Sequence, residues 1–156
     1  MKTLILYATK HGAAREIAQR IAARFVNAVI HDLKQGDIPN LADYDCVIVG
    51  SSVYAGMFRK EAKTFLSQNA NLLKSKKLGL FYSGLSADEE HSVFNGNIPG
   101  DILQSAKATA FLGGIFDPKK AGMFGRFIMK VVSKQAEYAD KIDDGKIEKF
   151  TEELKR

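Results

Sequence analysis

Apolar and polar residues along this chain change period repeatedly, and each change marks the boundary of a secondary-structure element. Lys2–Tyr7 is short, apolar and β-prone, and the stretch TKHG breaks it. From Ala14 to Phe25 the apolar positions Ala14, Ile17, Ala18, Ile21, Ala22 and Phe25 recur at i, i+3, i+4 and i+7, the spacing of a helix with one inward face. Arg15, Glu16, Gln19, Arg20 and Arg24 take the other face, and Glu16 precedes Arg20 by four, the orientation that favours an ion pair on a helix. The alternation then continues. Ala28–Leu33 predicts a second strand and Asp45–Gly50 a third, apolar almost throughout. Glu61–Leu73 predicts a helix with Ala62, Phe65, Leu66, Asn69 and Leu73 on one side, Leu78–Tyr82 a fourth strand, and Ala108–Gly113 a fifth. A short helical piece opened by Pro99 and Asp101 comes before the fifth strand, and a closing helix at about 146–154 turns Ile147, Phe150 and Leu154 inward. Central strands that are continuously apolar must be covered on both faces. The expected class is therefore α/β, a doubly wound five-stranded parallel sheet with helices on both faces. No repeat or linker divides the 156 residues, so one domain spanning 1–156 and one core are expected.

In such a sheet, ligands bind beyond the carboxyl ends of the strands, where the strand order reverses. Two loops have the chemistry for it. The first, Ala8–Ala13, contains Gly12 and runs into a helix N-terminus, where free N–H groups and the positive end of the helix dipole favour a phosphate. Thr9 can donate a hydroxyl, and Lys10 and His11 bring positive charge. The second, GSSVYAG from Gly50 to Gly56, joins small residues, two hydroxyls and one aromatic ring at the end of the most apolar strand. A flat ring ligand suits it: Tyr54 would stack on or edge that ring, or else pack under its own loop. A third loop, Ser83–Ser86, is placed to touch the same ligand.

Composition narrows the function classes. The chain is 46% hydrophobic and 26% charged, and no apolar run approaches the ~18 residues that span a bilayer. Lys10 and His11 interrupt any signal-like start, which makes a cytoplasmic location the default. The single cysteine, Cys46, lies in an apolar stretch and predicts a buried, inert thiol, with no metal site or thiol chemistry suggested. His11, His31 and His91 show no nucleophile–base spacing. Net charge is +5, and Lys119, Lys120, Arg126, Lys130 and Lys134 fall in one stretch without an acidic residue. With Phe124, Phe127, Ile128, Val131 and Val132 on another face, the segment 119–134 predicts an extra basic amphipathic helix. It would pack on the core, meet an anionic membrane surface, or attract an anionic substrate. No nucleic-acid recognition motif accompanies the charge, so nucleic acid is not an expected partner.

The stretch YATKHGAAREIA resembles the phosphate-binding signature of flavodoxins, in which hydroxyl residues surround a Gly before the first helix. The likeness extends over nearly the whole chain and implies the strand order 2-1-3-4-5, with the crevice between strands one and three. MKTLILYATKHGAAREIA together with FGRFIMKVVSK is similar to the menaquinone-dependent protoporphyrinogen oxidases, flavodoxin-like enzymes of haem synthesis, and to the related flavodoxin-domain proteins of anaerobes. The resemblance implies FMN as cofactor. Thr9, Lys10, His11, Gly12, Ala13 and Ala14 would hold its phosphate, while Ser51, Ser52, Val53, Tyr54, Ala55 and Gly56, with Ser83, Gly84, Leu85 and Ser86, would border its ring. Flavodoxins usually carry hydroxyls where this chain has His11 and Ala14. Phosphate binding then leans on backbone N–H groups and Thr9, and two lost contacts at about 0.5–1.5 kcal/mol each would weaken FMN tenfold or more. The expected function is an FMN oxidoreductase with a quinone acceptor and a small anionic substrate such as a porphyrinogen, in which the flavin carries the chemistry and no side chain is catalytic. It would be cytoplasmic, or peripheral on the inner face of the membrane through 119–134. The alternatives are a flavodoxin-type electron carrier, which the basic charge disfavours, and a binding module with weak or lost FMN binding.

Overall fold

Five parallel strands form the centre of the computed structural model, which describes residues 1–85, 90–119 and 138–156. They are β1 (Thr3–Ala8), β2 (Val29–Asp32), β3 (Cys46–Tyr54), β5 (Lys77–Ser83) and β6 (Ala108–Phe111), while the short β4 (Met57–Phe58) folds back antiparallel on β3. Their order, β2-β1-β3-β5-β6, is the expected 2-1-3-4-5 once β4 is set aside. The order reverses beside β1, which has β2 on one side and β3 on the other, with Ile5 opposite both Ile30 and Ile48.

Successive side chains of a strand point to opposite faces, so strands apolar at every position feed two cores. On one face Ile5, Ile48 and Phe81 meet Ile17 and Ile21 of α1 (Ala13–Ala22) and Ile147, Phe150 and Leu154 of α6 (Asp144–Lys155). On the other, Leu6, Val49, Leu80 and Tyr82 meet four shorter helices: α2 (Lys60–Gln68), α3 (Ala70–Lys74), α4 (Glu90–Asn97) and α5 (Gly100–Ser105). The expectation of one core is corrected to two, separated by the sheet. Gly50 of β3 lies under the ring of Phe81, where a Cβ would overlap it.

Several elements differ from expectation for local reasons. The helix expected over Glu61–Leu73 breaks at Asn69 (φ −114°, ψ 16°), where the Phe65 carbonyl accepts both the Asn69 backbone N–H at 3.1 Å and its side-chain Nδ2 at 2.9 Å. α1 stops at Ala22, although Phe25 still packs against the core. α4 was not anticipated, because Asn95, Gly96 and Asn97 are poor helix formers and its apolar periodicity is weak. An unforeseen antiparallel ribbon, β7 (Ile115–Phe116) with β8 (Ala139–Asp140), joins the flanks of the basic segment. Of that expected helix at 119–134, Lys119 is described; the rest lies outside the described residues. Arg20 fastens the ribbon to α1 and α6, reaching Glu16 at 3.0 Å, Asp140 at 2.8 Å and Asp144 at 3.2 Å. Partial burial works against its charge, but the Glu16 and Asp140 carboxylates outweigh that and push its pKa above the ordinary value. Among the described residues no helix is long and apolar enough to cross a membrane.

Candidate functional site

The carboxyl ends of β1 and β3 meet at the point of strand-order reversal, and the loops that leave them interlock. Beyond β1, Gly12 adopts φ 101° at the N-cap of α1, a left-handed conformation that glycine accepts without strain. Its N–H donates to Thr9 Oγ1 at 2.9 Å, which closes the turn and leaves the Thr9 hydroxyl proton for another acceptor. No side chain caps α1, so its first-turn N–H groups keep their capacity for an anion and stand at the positive end of the helix dipole. Thr9 is half-buried, Lys10 and His11 are exposed, and Gly12 and Ala13 are half-buried. Ala14 is fully buried and packs in the α1–α6 core. Where flavodoxins usually place a hydroxyl, this chain has a methyl group that completes the core, and only the Ala14 backbone lies in the first turn.

The second loop is not a loop. β3 continues through Ser51, Ser52, Val53 and Tyr54, turns at Ala55 (φ 49°) and Gly56 (φ 76°), and returns as β4. Positive φ at both central residues is the turn whose twist matches a two-residue hairpin, which corrects the expected loop over Gly50–Gly56. Ala55, lacking glycine's freedom, costs about 1 kcal/mol there. The buried Ser51 hydroxyl donates to the Ser52 carbonyl at 2.9 Å and accepts the Arg59 N–H at 2.8 Å, tying the start of α2 to the hairpin. Ser52 Oγ accepts the Lys10 N–H at 3.0 Å and so joins the two loops. Tyr54 is 51% exposed and does not pack under its loop; the Lys10 ammonium sits 4.6 Å from its ring centroid. The aromatic wall therefore carries a cation on one face.

The third segment begins with buried Ser83, the last residue of β5, followed by half-buried Gly84 and Leu85; Ser86 lies outside the described residues. Gly84 donates its N–H to the Gly113 carbonyl at 3.1 Å, and Gly114 lies against the Gly84 backbone where a Cβ would overlap the Gly84 carbonyl. Sequence reasoning missed this brace, although the Gly113–Gly114 pair after a strand was a usable signal for close backbone approach. It also missed Glu90, whose carboxylate accepts the Phe111 N–H at 2.8 Å, and Asn97, which lies beneath the hairpin. Below the crevice floor Tyr82 is ringed by Phe94 at 5.2 Å, Phe111 at 5.0 Å and Phe58 at 6.3 Å. Burial first, and the Glu90 carboxylate second, push its phenol up to about 12, so it stays protonated. Burial likewise pushes the Cys46 thiol up to about 11. No group of three His, Cys, Asp or Glu side chains that could hold a metal occurs among the described residues.

Residues 4–143 match the flavodoxin domain family. The chain belongs to that family. Protoporphyrinogen IX dehydrogenase [quinone] of Escherichia coli K12 is 24% identical over 146 residues, covering 87% of this chain and 81% of that protein. Among solved structures, oxidised flavodoxin 2 from Bacillus cereus superposes with a TM-score of 0.61 at 23% identity, covering 99% of this chain and 98% of that one. A short-chain flavodoxin associated with a PDU bacterial microcompartment gives 0.59 at 19% identity, covering 99% and 97%. At such identities the structures establish the fold. FMN is the cofactor of the flavodoxin domain family, and the residues present fit it. An uncapped helix start behind the Gly12 turn, with Thr9 and two basic side chains, suits a phosphate, and the half-exposed Tyr54 at the hairpin tip offers a flat apolar edge for a ring.

Proposed function

We propose that this flavodoxin-domain chain is an FMN-dependent oxidoreductase that withdraws electrons from a carboxylate-bearing substrate of the porphyrinogen class and passes them to a quinone. The observation that carries the proposal is the junction of β1 with α1, where the Gly12 turn, the Thr9 hydroxyl and an uncapped helix start converge at the point of strand-order reversal. Support for the substrate comes from the E. coli relative, aligned over 87% of this chain, and from the +5 net charge, which attracts anionic substrates.

Bound FMN supplies the electron or hydride transfer. The protein's part is placement. The N–H groups of Ala13, Ala14 and Arg15 and the Thr9 hydroxyl would take the phosphate, with Lys10 and His11 adding positive charge. The Ser51–Gly56 hairpin and Ser83–Ser86 would border the ring. We keep for 119–134 the role of meeting an anionic membrane surface on the cytoplasmic side, where a quinone is accessible; five basic residues in that stretch support it.

Titration of the purified chain with FMN tests the first half: saturable binding with a bound-flavin absorbance band is expected, and no binding would leave a flavodoxin-fold binding module. Anaerobic oxidation of protoporphyrinogen with a menaquinone analogue tests the second. A chain that holds FMN yet turns over with no quinone tried would be an electron carrier instead.

A further inference from the structure

The β3–β4 hairpin borders the crevice, yet β4 has only two residues, pairs with β3 along one edge and follows a strained turn at Ala55. Asn97, at the end of α4 and 6% exposed, supplies what is missing. Its Oδ1 accepts the Phe58 N–H at 2.8 Å, and its Nδ2 donates to the Gly56 carbonyl at 2.7 Å and to the Val93 carbonyl at 2.8 Å. A carbonyl at one position and an N–H two positions later are what a strand presents along one edge. The Asn97 amide therefore stands in for a neighbouring strand, and its bond to Val93, four residues back on α4, locks the side chain in place. The three partners also fix which atom is which. A reversed amide would aim two N–H groups at the Phe58 N–H and an oxygen at two carbonyls. Both Nδ2 protons and one Oδ1 lone pair are used, with little water to replace them.

We propose that Asn97 is a positioning residue for the flavin. It lies behind the hairpin, its hydrogen bonds run to Gly56, Phe58 and Val93, and it fixes the turn that carries Tyr54 and thereby the wall against which the ring rests. This rests on the FMN reading above. The chain Asn97, Gly56–Phe58, Tyr54 leads from α4 to the tip of the hairpin, so hairpin placement and binding of the ring are coupled.

Asn97→Asp keeps the acceptor for Phe58 but turns a carboxylate oxygen towards two carbonyls, and Asn97→Ala removes all three bonds. Both variants are expected to bind FMN at least about tenfold more weakly. Inorganic phosphate, which needs only the first loop, should bind both within about twofold of the unmodified chain, because one unperturbed loop retains its affinity. Adding Ala55→Gly, which relieves the turn strain, should restore part of the FMN affinity. FMN binding within twofold of the unmodified chain overturns the proposal, and so does an equal loss of FMN and phosphate, which would make Asn97 a general stabiliser only. Should the variants not fold, hydrogen exchange in the unmodified chain decides. The Phe58 amide must gain protection when FMN is added, and unchanged protection overturns the coupling. Failure of the unmodified chain to bind FMN at all is the separate result that removes the FMN reading, and this inference with it.

Discussion

The two faces of the sheet are built differently. The α1–α6 face uses two regular helices whose aliphatic residues and Phe150 meet Ile5, Ile48 and Phe81, with Arg20 bridging to Asp140 and Asp144 at its rim. The α2–α5 face uses four short helices, a two-residue strand and a cluster of aromatic rings around Tyr82. Each face contributes a different part of the site. The regular face delivers a helix N-terminus, for which straight geometry and a backbone dipole suffice. The irregular face delivers the hairpin, which receives side-chain bonds from Ser51 and Asn97. The turn before α1 is built from backbone; the hairpin is propped by side chains.

That contrast can be broken most forcefully at Phe150. Phe150→Ala empties a buried site between Gly79 and Phe81 and should cost about 3–5 kcal/mol in chemical denaturation. Because this face also carries α1, a parallel loss of FMN affinity among the molecules still folded would show the packing beneath α1 setting its N-terminus; unchanged affinity would show that the Gly12 turn holds it by itself. Next in size is Gly12→Asp. It forces a side chain into φ 101° and sets a carboxylate where a phosphate is expected, so FMN affinity should fall by about 100-fold or more. Retained affinity would move the phosphate to another loop.

Two smaller effects come from the buried acids. A group whose folded pKa is raised is neutral in both states below its unfolded value, and folding loses ground as pH rises from the unfolded to the folded pKa. Cys46, pushed to about 11 by burial, should therefore lower stability by about 1–3 kcal/mol between pH 9 and 11. Thermal unfolding across that range should show a shallower fall for Cys46→Ala than for the unmodified chain, and equal slopes would refute the assignment. The smallest change is Tyr82→Phe. The Tyr82 hydroxyl is buried without a hydrogen-bond partner among the described residues, so its removal should leave stability unchanged or raise it by up to about 1 kcal/mol. A loss above that would reveal a partner for the hydroxyl on the irregular face.

How much could be read beforehand follows the same division. α1 and α6 announced themselves because Ile17, Ile21, Ile147, Phe150 and Leu154 repeat at helical spacing, and Gly12 before such a helix marked the turn that opens α1. The Glu16–Arg20 pair was likewise visible as a spacing of four. On the other face the signals failed. Asn69 sits at a core-facing position of the helical pattern, yet its backbone leaves helical geometry there. α4 lacks a clear period, and GSSVYAG looked like a loop because nothing local shows that Ala55 will accept a positive φ. Asn97 carried no pattern at all, since its partners Gly56 and Phe58 lie about forty residues away.

Local pattern was enough for the alternation of strands and helices, the burial of the sheet on both faces and the glycine turn at Gly12, because these depend on neighbours within one or two turns of chain. Only contacts between distant segments settled that β3 would run on into a hairpin and that Asn97 would complete the edge of β4. Each of those depends on what a distant segment presents across the sheet, and a hydrogen bond or a packed ring between residues far apart leaves no period in the chain to be read.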